Sequence, residues 1–470
     1  MCSIKTISAL PGHPDPVVLE PDFNRVHEIF EKLADRYGKL FTVQFANRPL
    51  VVVANANQIN FILRKRPDLF GPYSRKNRVL ETMKVDGIEA ADDHGWKRQR
   101  EVIAASMESR HMAQYFEYIK AATGDLKNHW ITHGENLSKI DLEAEILGFS
   151  ISVFTSMVFG DLADMPVGEQ EVTKNILHNL VPILGRRIDA LLPQMHLESF
   201  SEDNYFDEDI REIFRAVKNV IARKGSLLND TNGAGNAVSM VRLLIEAMKE
   251  KGSDIRNIKL IENILLIVLA SEPTTANTLL RVLFCIAKDP QVQRDIQDEV
   301  DAVLGNGGII EDIEDIKKLK CIDAVILETM RTSSVSRLAI VEAKADLVMD
   351  DVEIPAGTPL VLLIARCALD DENFHQARVF DHRRWRSETK VESSKHNGKA
   401  FLGFGSGPRS CPGRGLAMLV IKSALAMICG NFQIRLSPEK QPGDKTGFND
   451  KPLSFGLTIE IRDRRHDVAL

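Results

Sequence analysis

The sequence predicts a mostly α-helical protein with a small β-sheet region. Apolar residues recur at i, i+3, i+4 spacing over most of the chain, strand-like alternation is confined to two short stretches some 300 residues apart, and no proline- or serine-rich linker divides them. The helical spacing runs through residues 24–36, 96–125, 141–159, 207–223, 236–250, 258–302 and 413–430. Residues 40–45, a turn at Asn47-Arg48-Pro49 and residues 50–53 read as a hairpin near the start. The second strand-rich stretch is residues 347–354, then Pro355-Ala356-Gly357, then residues 359–364. Residues 225–235 are polar, with Asn229-Asp230-Thr231-Asn232-Gly233, and read as a loop. Repeats are not apparent, and residues 1–470 are read as a single domain.

Composition removes several classes of function. At 44% hydrophobic and 27% charged residues with a formal net charge of −6, the chain describes a globular protein with a large core and gives nucleic acid no obvious hold. Six cysteines, at 2, 285, 321, 367, 411 and 429, form no Cys-x-x-Cys pair, so a reducing compartment is expected rather than disulfides. No His-Glu-x-x-His motif is present, and zinc has no credible site. A membrane anchor needs about 20 apolar residues. Residues 1–22 are polar and proline-rich, and the longest apolar run is residues 264–270, so no anchor is seen and a cytoplasmic location is expected.

The chemistry concentrates near the C-terminus, in Phe404-Gly405-Ser406-Gly407-Pro408-Arg409-Ser410-Cys411-Pro412-Gly413. The apolar spacing after Cys411 predicts a helix whose positive N-terminal end would hold a thiolate, with Pro412 suited to its first position. Glycines at 405, 407 and 413 let backbone approach a flat cofactor closely, and Arg409 is placed to meet an acidic group. The rival readings are a buried free thiol and a glycine-rich phosphate loop, the latter weakened because no Lys-Ser/Thr follows.

Phe-x-x-Gly-x-Arg-x-Cys-x-Gly, filled by Phe404, Gly407, Arg409, Cys411 and Gly413, resembles the heme-binding signature of the cytochrome P450 superfamily at all five fixed positions. The resemblance implies the cytochrome P450 fold, heme b (iron protoporphyrin IX) as cofactor and Cys411 as the metal ligand, with residues 401–430 forming the ligand loop and its helix. Three further segments then acquire meaning. Glu328 and Arg331 lie three apart on a helix about 80 residues before the cysteine, and with Arg384 they resemble the superfamily's buried Glu-Arg-Arg scaffold. His382 stands where the family usually has proline. Trp96 and Arg100, one turn apart, resemble the pair that meets the heme propionates, the alternative being a core aromatic beside a solvated basic run. Arg337 is a further candidate contact in a segment of uncertain register.

The oxygen-activating helix, expected at about residues 258–285, departs most. Ala270-Ser271-Glu272-Pro273-Thr274-Thr275 resembles the family's Ala/Gly-Gly-x-Asp/Glu-Thr-Thr, which places Thr274 over the iron and puts Pro273 where the acid belongs. Pro273 is expected to kink the helix and free the carbonyl of Leu269, and Glu272 replaces the acid only if that kink rotates it. The alternative is a plain kink with Thr274 as a packing residue. The resemblance implies a monooxygenase that inserts oxygen from dioxygen into a lipophilic small molecule, using an external electron donor (a ferredoxin, flavodoxin or reductase), since no flavin or nicotinamide fingerprint is present. The rival is a heme-thiolate isomerase, dehydratase or coupling enzyme, suggested by Pro273 and by the likeness of Arg331-Thr332-Ser333-Ser334 to the branch holding sterol 7-hydroxylase and prostacyclin synthase. Pocket segments implied by the resemblance are residues 70–95, 177–200, 266–274 and 452–456, mainly apolar.

Overall fold

Short polar side chains set where several helices begin. In the computed structural model, Asn55 accepts from the N–H groups of Asn57 (2.9 Å) and Gln58 (3.2 Å), Asp141 from Glu143 (3.1 Å) and Ala144 (3.2 Å), and Asp289 from Gln291 (3.0 Å) and Val292 (3.4 Å). Each satisfies donors that the first helical turn leaves without a partner. The structure describes residues 4–13, 26–45, 48–82, 85–91, 93–160, 239–250, 259–386, 396–437 and 455–462, with isolated positions between 211 and 222.

In chain order, the main described helices are α1 (Val26–Tyr37), α2 (Ala56–Arg64), α3 (Ser74–Thr82), α4 (Gly87–Ala90), α5 (Asp93–Ser106), α6 (Ser109–His133) and α7 (Leu142–Phe159). They continue with α8 (Met240–Glu250), α9 (Leu260–Lys288), α10 (Pro290–Leu304), α11 (Lys320–Thr332), α12 (Ile364–Ala368) and α13 (Arg414–Asn431). Strands β1 (Lys5–Thr6), β2 (Gly12–His13), β3 (Leu40–Phe45), β4 (Arg48–Val53) and β5 (Phe70–Pro72) lie in the first part. The later ones are β6 (Ala339–Ala343), β7 (Leu347–Met349), β8 (Val352–Ile354), β9 (Pro359–Leu362), β10 (Phe432–Leu436) and β11 (Leu457–Ile461).

The expected hairpin is present as antiparallel β3 and β4, in register Leu40 with Val53. β4 then pairs in parallel with β9, so the largest sheet, ordered β2-β3-β4-β9-β6-β5, joins segments about 300 residues apart, as the fold class requires. One apolar cluster lies under this sheet, and a larger one is built from α6, α7, α9, α11 and α13. α9 packs along α7 and against α11, α13 and β10, so it runs through the larger core. α7 and α13 are long and apolar enough to cross a membrane, yet more than half of each is buried inside the protein.

Four sequence expectations are corrected. The run 96–125 is two helices, because the chain extends at Glu108 (φ −66, ψ 154) between α5 and α6. The run 258–302 breaks at Asp289 (φ −125, ψ 93), where Pro290 offers no N–H to continue α9. Residues 347–354 are two strands turned at Asp350 (φ 56), and residues 359–364 end as a strand at Leu362 before α12 starts. Pro412 is not the first helical residue: α13 opens at Arg414 with Gly413 as its cap, since residues 411–413 are spent on the turn that presents the cysteine. The expected loop at 225–235 and most of the helix at 207–223 lie outside the described residues.

Candidate functional site

The cysteine loop is held by its own backbone. Cys411 donates its N–H to the carbonyl of Phe404 (2.8 Å), Gly405 donates to Leu402 (2.8 Å) and Ser410 to Gly407 (3.1 Å). Gly405 and Gly407 both adopt φ +72, a left-handed conformation that side chains disfavour. A Cβ on Gly407 would also lie 2.6 Å from the carbonyl oxygen of Leu63 and 2.7 Å from Cα of Arg64, so the loop is seated directly on the end of α2. Gly413 differs, with φ −84 and the nearest contact of an added Cβ being Cys411 Sγ at 4.0 Å.

Burial pushes the Cys411 thiol up, while the N–H groups of Gly413 and Arg414 and the charges of Arg100 and Arg414 pull it down. The net direction at Cys411 is upward, as it is at four other described cysteines, but only Cys411 has two helix-start N–H groups among its opposing causes. Burial raises Cys285 to about 11 and Cys321 and Cys367 to about 12, and raises Cys429 as well. Arg100 sits close enough to feel Cys411: burial lowers its guanidinium pKa and the cysteine's charge opposes that. The guanidinium of Arg409 lies 4.9 Å from the ring centre of buried Trp96 and donates to the carbonyls of Ala91 (2.9 Å) and Glu89 (3.4 Å). Phe404 lies under the guanidinium of Arg414 at 5.4 Å. Arg337 is engaged elsewhere, its guanidinium 3.7 Å from the Glu31 carboxylate of α1.

On α9, Thr274 donates its hydroxyl to the carbonyl of Ala270 (2.7 Å). Pro273 lies inside α9, which continues through it from Leu260 to Lys288. At 3.6 residues per turn, the side chains of Glu272 and Thr274 are about 200° apart around the axis. The backbone of Glu272 instead faces α7, its carbonyl accepting from Ser150 Oγ at 3.0 Å.

The scaffold behind the loop is denser than the sequence shows. Arg331, with none of its side chain exposed, donates through Nε and Nη2 to both oxygens of Glu328 at 2.8 Å, and also to the carbonyls of Ala368 (2.7 Å), Val379 (3.0 Å) and Ala377. Glu328 further accepts from Arg384 Nε (3.0 Å), the N–H of Asp381 (2.8 Å) and the indole of Trp385 (2.9 Å). Trp385 is a partner that spacing alone does not reveal, since it lies 57 residues along the chain. His382 is buried beside Asp295 of α10, at 3.5 Å, and burial lowers its pKa. Asn263 is also missed by motif reading: it accepts from the N–H of Ile88 (2.7 Å) and donates to Gln99 (2.7 Å), tying α9 to α4 and to the helix that carries Trp96 and Arg100.

Of the expected pocket segments, residues 177–200 and 452–454 lie outside the described residues. Phe455 belongs to the core, with its N–H on Glu143 (2.6 Å) and its ring 6.1 Å from Phe284.

This donor set suits an iron protoporphyrin: a thiol facing two amide N–H groups at a helix start, and an indole with two guanidiniums beside it for carboxylates. The comparisons agree. The family model for cytochrome P450 matches residues 17–459, and the chain belongs to that family. Among its relatives, cytochrome P450 3A31 of Mesocricetus auratus is 26% identical over 434 residues, 86% of this chain and 81% of that protein. Cytochrome P450 3A12 of Canis lupus familiaris is 24% identical over 451 residues, 92% and 86%. The crystal structure of a cytochrome P450, CYP102L1, superposes with a TM-score of 0.79 at 20% identity, covering 98% of this chain and all of that one. The protein is a heme-binding cytochrome P450 monooxygenase, an oxidoreductase.

Proposed function

We propose that Cys411 is the proximal iron ligand and that the enzyme oxygenates a lipophilic small molecule with electrons from a separate protein. The observation that carries this is the position of Cys411 at the mouth of α13, facing the N–H groups of Gly413 and Arg414 and the charge of Arg100. A thiolate-ligated heme, when bound, supplies electron density that favours O–O cleavage. The chain's own part is to hold and orient. Trp96, Arg100 and Arg409 converge beside the cysteine loop and are assigned to the propionates. Arg337, committed to Glu31, is left out of that assignment, as is Glu272 from proton transfer.

A charge-assisted hydrogen bond contributes about 1.5–3 kcal/mol. Arg100→Ala and Arg409→Ala should therefore lower heme occupancy without moving the Soret band, measured as the ratio of heme to protein absorbance. Unchanged retention in both would return these residues to a solvated basic face.

The electron donor is assigned to the face around the loop. Because Gly407 rests on Leu63 and Arg64, the exposed Arg64 and Lys65 lie beside the loop, and the exposed Arg414 lies at its end. Such a patch fits an acidic ferredoxin or flavodoxin, whose association would weaken as salt rises. Residues 1–470 are taken as one domain, and a cytoplasmic location is retained as part of this reading, to be tested by cell fractionation.

Thr274 carries the test of reaction type. In a monooxygenase, Thr274→Ala should uncouple turnover, consuming NADPH and releasing hydrogen peroxide in place of product. Labelled dioxygen should enter the product of the wild type. Turnover of a hydroperoxide without NADPH, with no label incorporated and indifferent to Thr274, would overturn the monooxygenase reading.

A further inference from the structure

The break made by Pro273 is bordered by one polar group that the helix leaves over. Pro273 lacks an N–H, so the carbonyl of Leu269 loses its helical donor. The peptide oxygens of Glu272 and Pro273 each receive a side chain, from Ser150 of α7 (3.0 Å) and from Asn277 Nδ2 (2.8 Å). A carbonyl can only accept, so this bond fixes which way the Asn277 amide points. Its other atom, Oδ1, is buried in a side chain 1% exposed and has no hydrogen-bond partner among the described residues.

The nearby hydroxyls cannot supply one, because each carries a single proton that is already used. Thr274 donates to Ala270 (2.7 Å), Thr278 to Thr274 (2.7 Å) and Ser271 to Ile267 (2.6 Å). Among the described residues no donor is left for it, and buried amide oxygens are commonly satisfied by internal water. Asn277 lies three residues after Thr274, so the two side chains are neighbours on one helix face, about 5–6 Å apart at Cβ. One water can bridge that gap. Having given its proton to Ala270, Thr274 Oγ1 faces such a water as an acceptor.

We propose that Asn277 holds an internal water between its Oδ1 and Thr274 Oγ1, and that this water takes the proton-bearing place from which Pro273 has removed the acid. Asn277 is thus a positioning residue for the family's oxygenation, and the proposal rests on the assignment of Thr274 to the reacting side of the heme.

Asn277→Thr and Asn277→Val, nearly equal in shape, separate the alternatives. The threonine hydroxyl repeats at Pro273 the bond that Thr278 makes to Thr274, and keeps a lone pair for water; valine can do neither. A crystal structure of the heme-loaded wild type should show a water within hydrogen-bond distance of both Asn277 Oδ1 and Thr274 Oγ1. It should persist in the threonine variant and vanish in the valine one. With NADPH and a ferredoxin–reductase pair that reduces the wild type, Asn277→Val should consume dioxygen at least about tenfold more slowly, as loss of a positioned proton donor does, and Asn277→Thr should stay close to wild type. No water at Asn277, or equal rates in the two variants, overturns the proposal. If valine prevents heme loading, the wild-type density alone decides. An intact thiolate-heme spectrum in every variant shows that such a failure belongs to Asn277 and not to the heme reading.

Discussion

Glu328→Ala is expected to yield heme-free or aggregated protein. The carboxylate pairs with two guanidiniums and accepts two neutral N–H groups, from Asp381 and Trp385, in a site where Glu328 and Arg331 have no exposed side chain. Removing one partner of a buried pair leaves an uncompensated charge and costs about 3–5 kcal/mol, against a total stability of about 5–15 kcal/mol. Arg331 also fastens the carbonyls of Ala368, Ala377 and Val379, so the loss spreads into the chain around the pair. Size-exclusion chromatography with absorbance at the Soret band checks it. Glu328→Gln, which keeps an acceptor for Arg384 but turns a donor toward Arg331 or Trp385, should fall between. A monodisperse, heme-loaded Glu328→Ala would mean that the pair contributes no scaffold.

Gly407→Ala should be the most damaging single methyl in the cysteine loop. At φ +72 an L side chain costs about 1–2 kcal/mol, and here the added carbon also meets backbone atoms of Leu63 and Arg64 at 2.6 and 2.7 Å, which cannot turn aside as a side chain would. Gly405 shares the φ of +72, but an added Cβ there would come no nearer than 3.6 Å, to Cα of Ser410, so Gly405→Ala should suffer the backbone strain alone. Gly413, at φ −84, should accept alanine with the least loss of folding stability. Thermal unfolding of the three variants should rank them in that order. Equal midpoints for Gly407→Ala and Gly413→Ala would show that the loop does not rest on α2.

What the sequence makes legible follows from how local each interaction is. The cysteine loop is legible because its glycines, cysteine and helix start fall within ten residues and act through their own backbone. The position of Pro412 is misjudged because a turn and a helix start compete for the same residues. Pro273 is visible to local rules only as a missing N–H, whereas the packing of α9 along α7 and the hydrogen bond from Ser150 to the Glu272 carbonyl need the folded chain. Glu328 and Arg331 are visible by spacing, but Trp385 and the Asn263 link between α9, α4 and α5 need the chain to be folded first. Strands β10 and β11 carry alternating burial that is present in the sequence, yet β10 follows α13 without a break and is masked by its helical pattern.

The assignment of Cys411 is the point on which the rest depends, and the absorbance of the dithionite-reduced protein under carbon monoxide tests it most directly. A thiolate ligand gives a red-shifted Soret band. That band should be present in the wild type and absent in Cys411→Ser, and it should survive in Cys285→Ser, Cys321→Ser and Cys429→Ser, whose thiols burial keeps protonated. Persistence of the red-shifted band in Cys411→Ser would contradict the account.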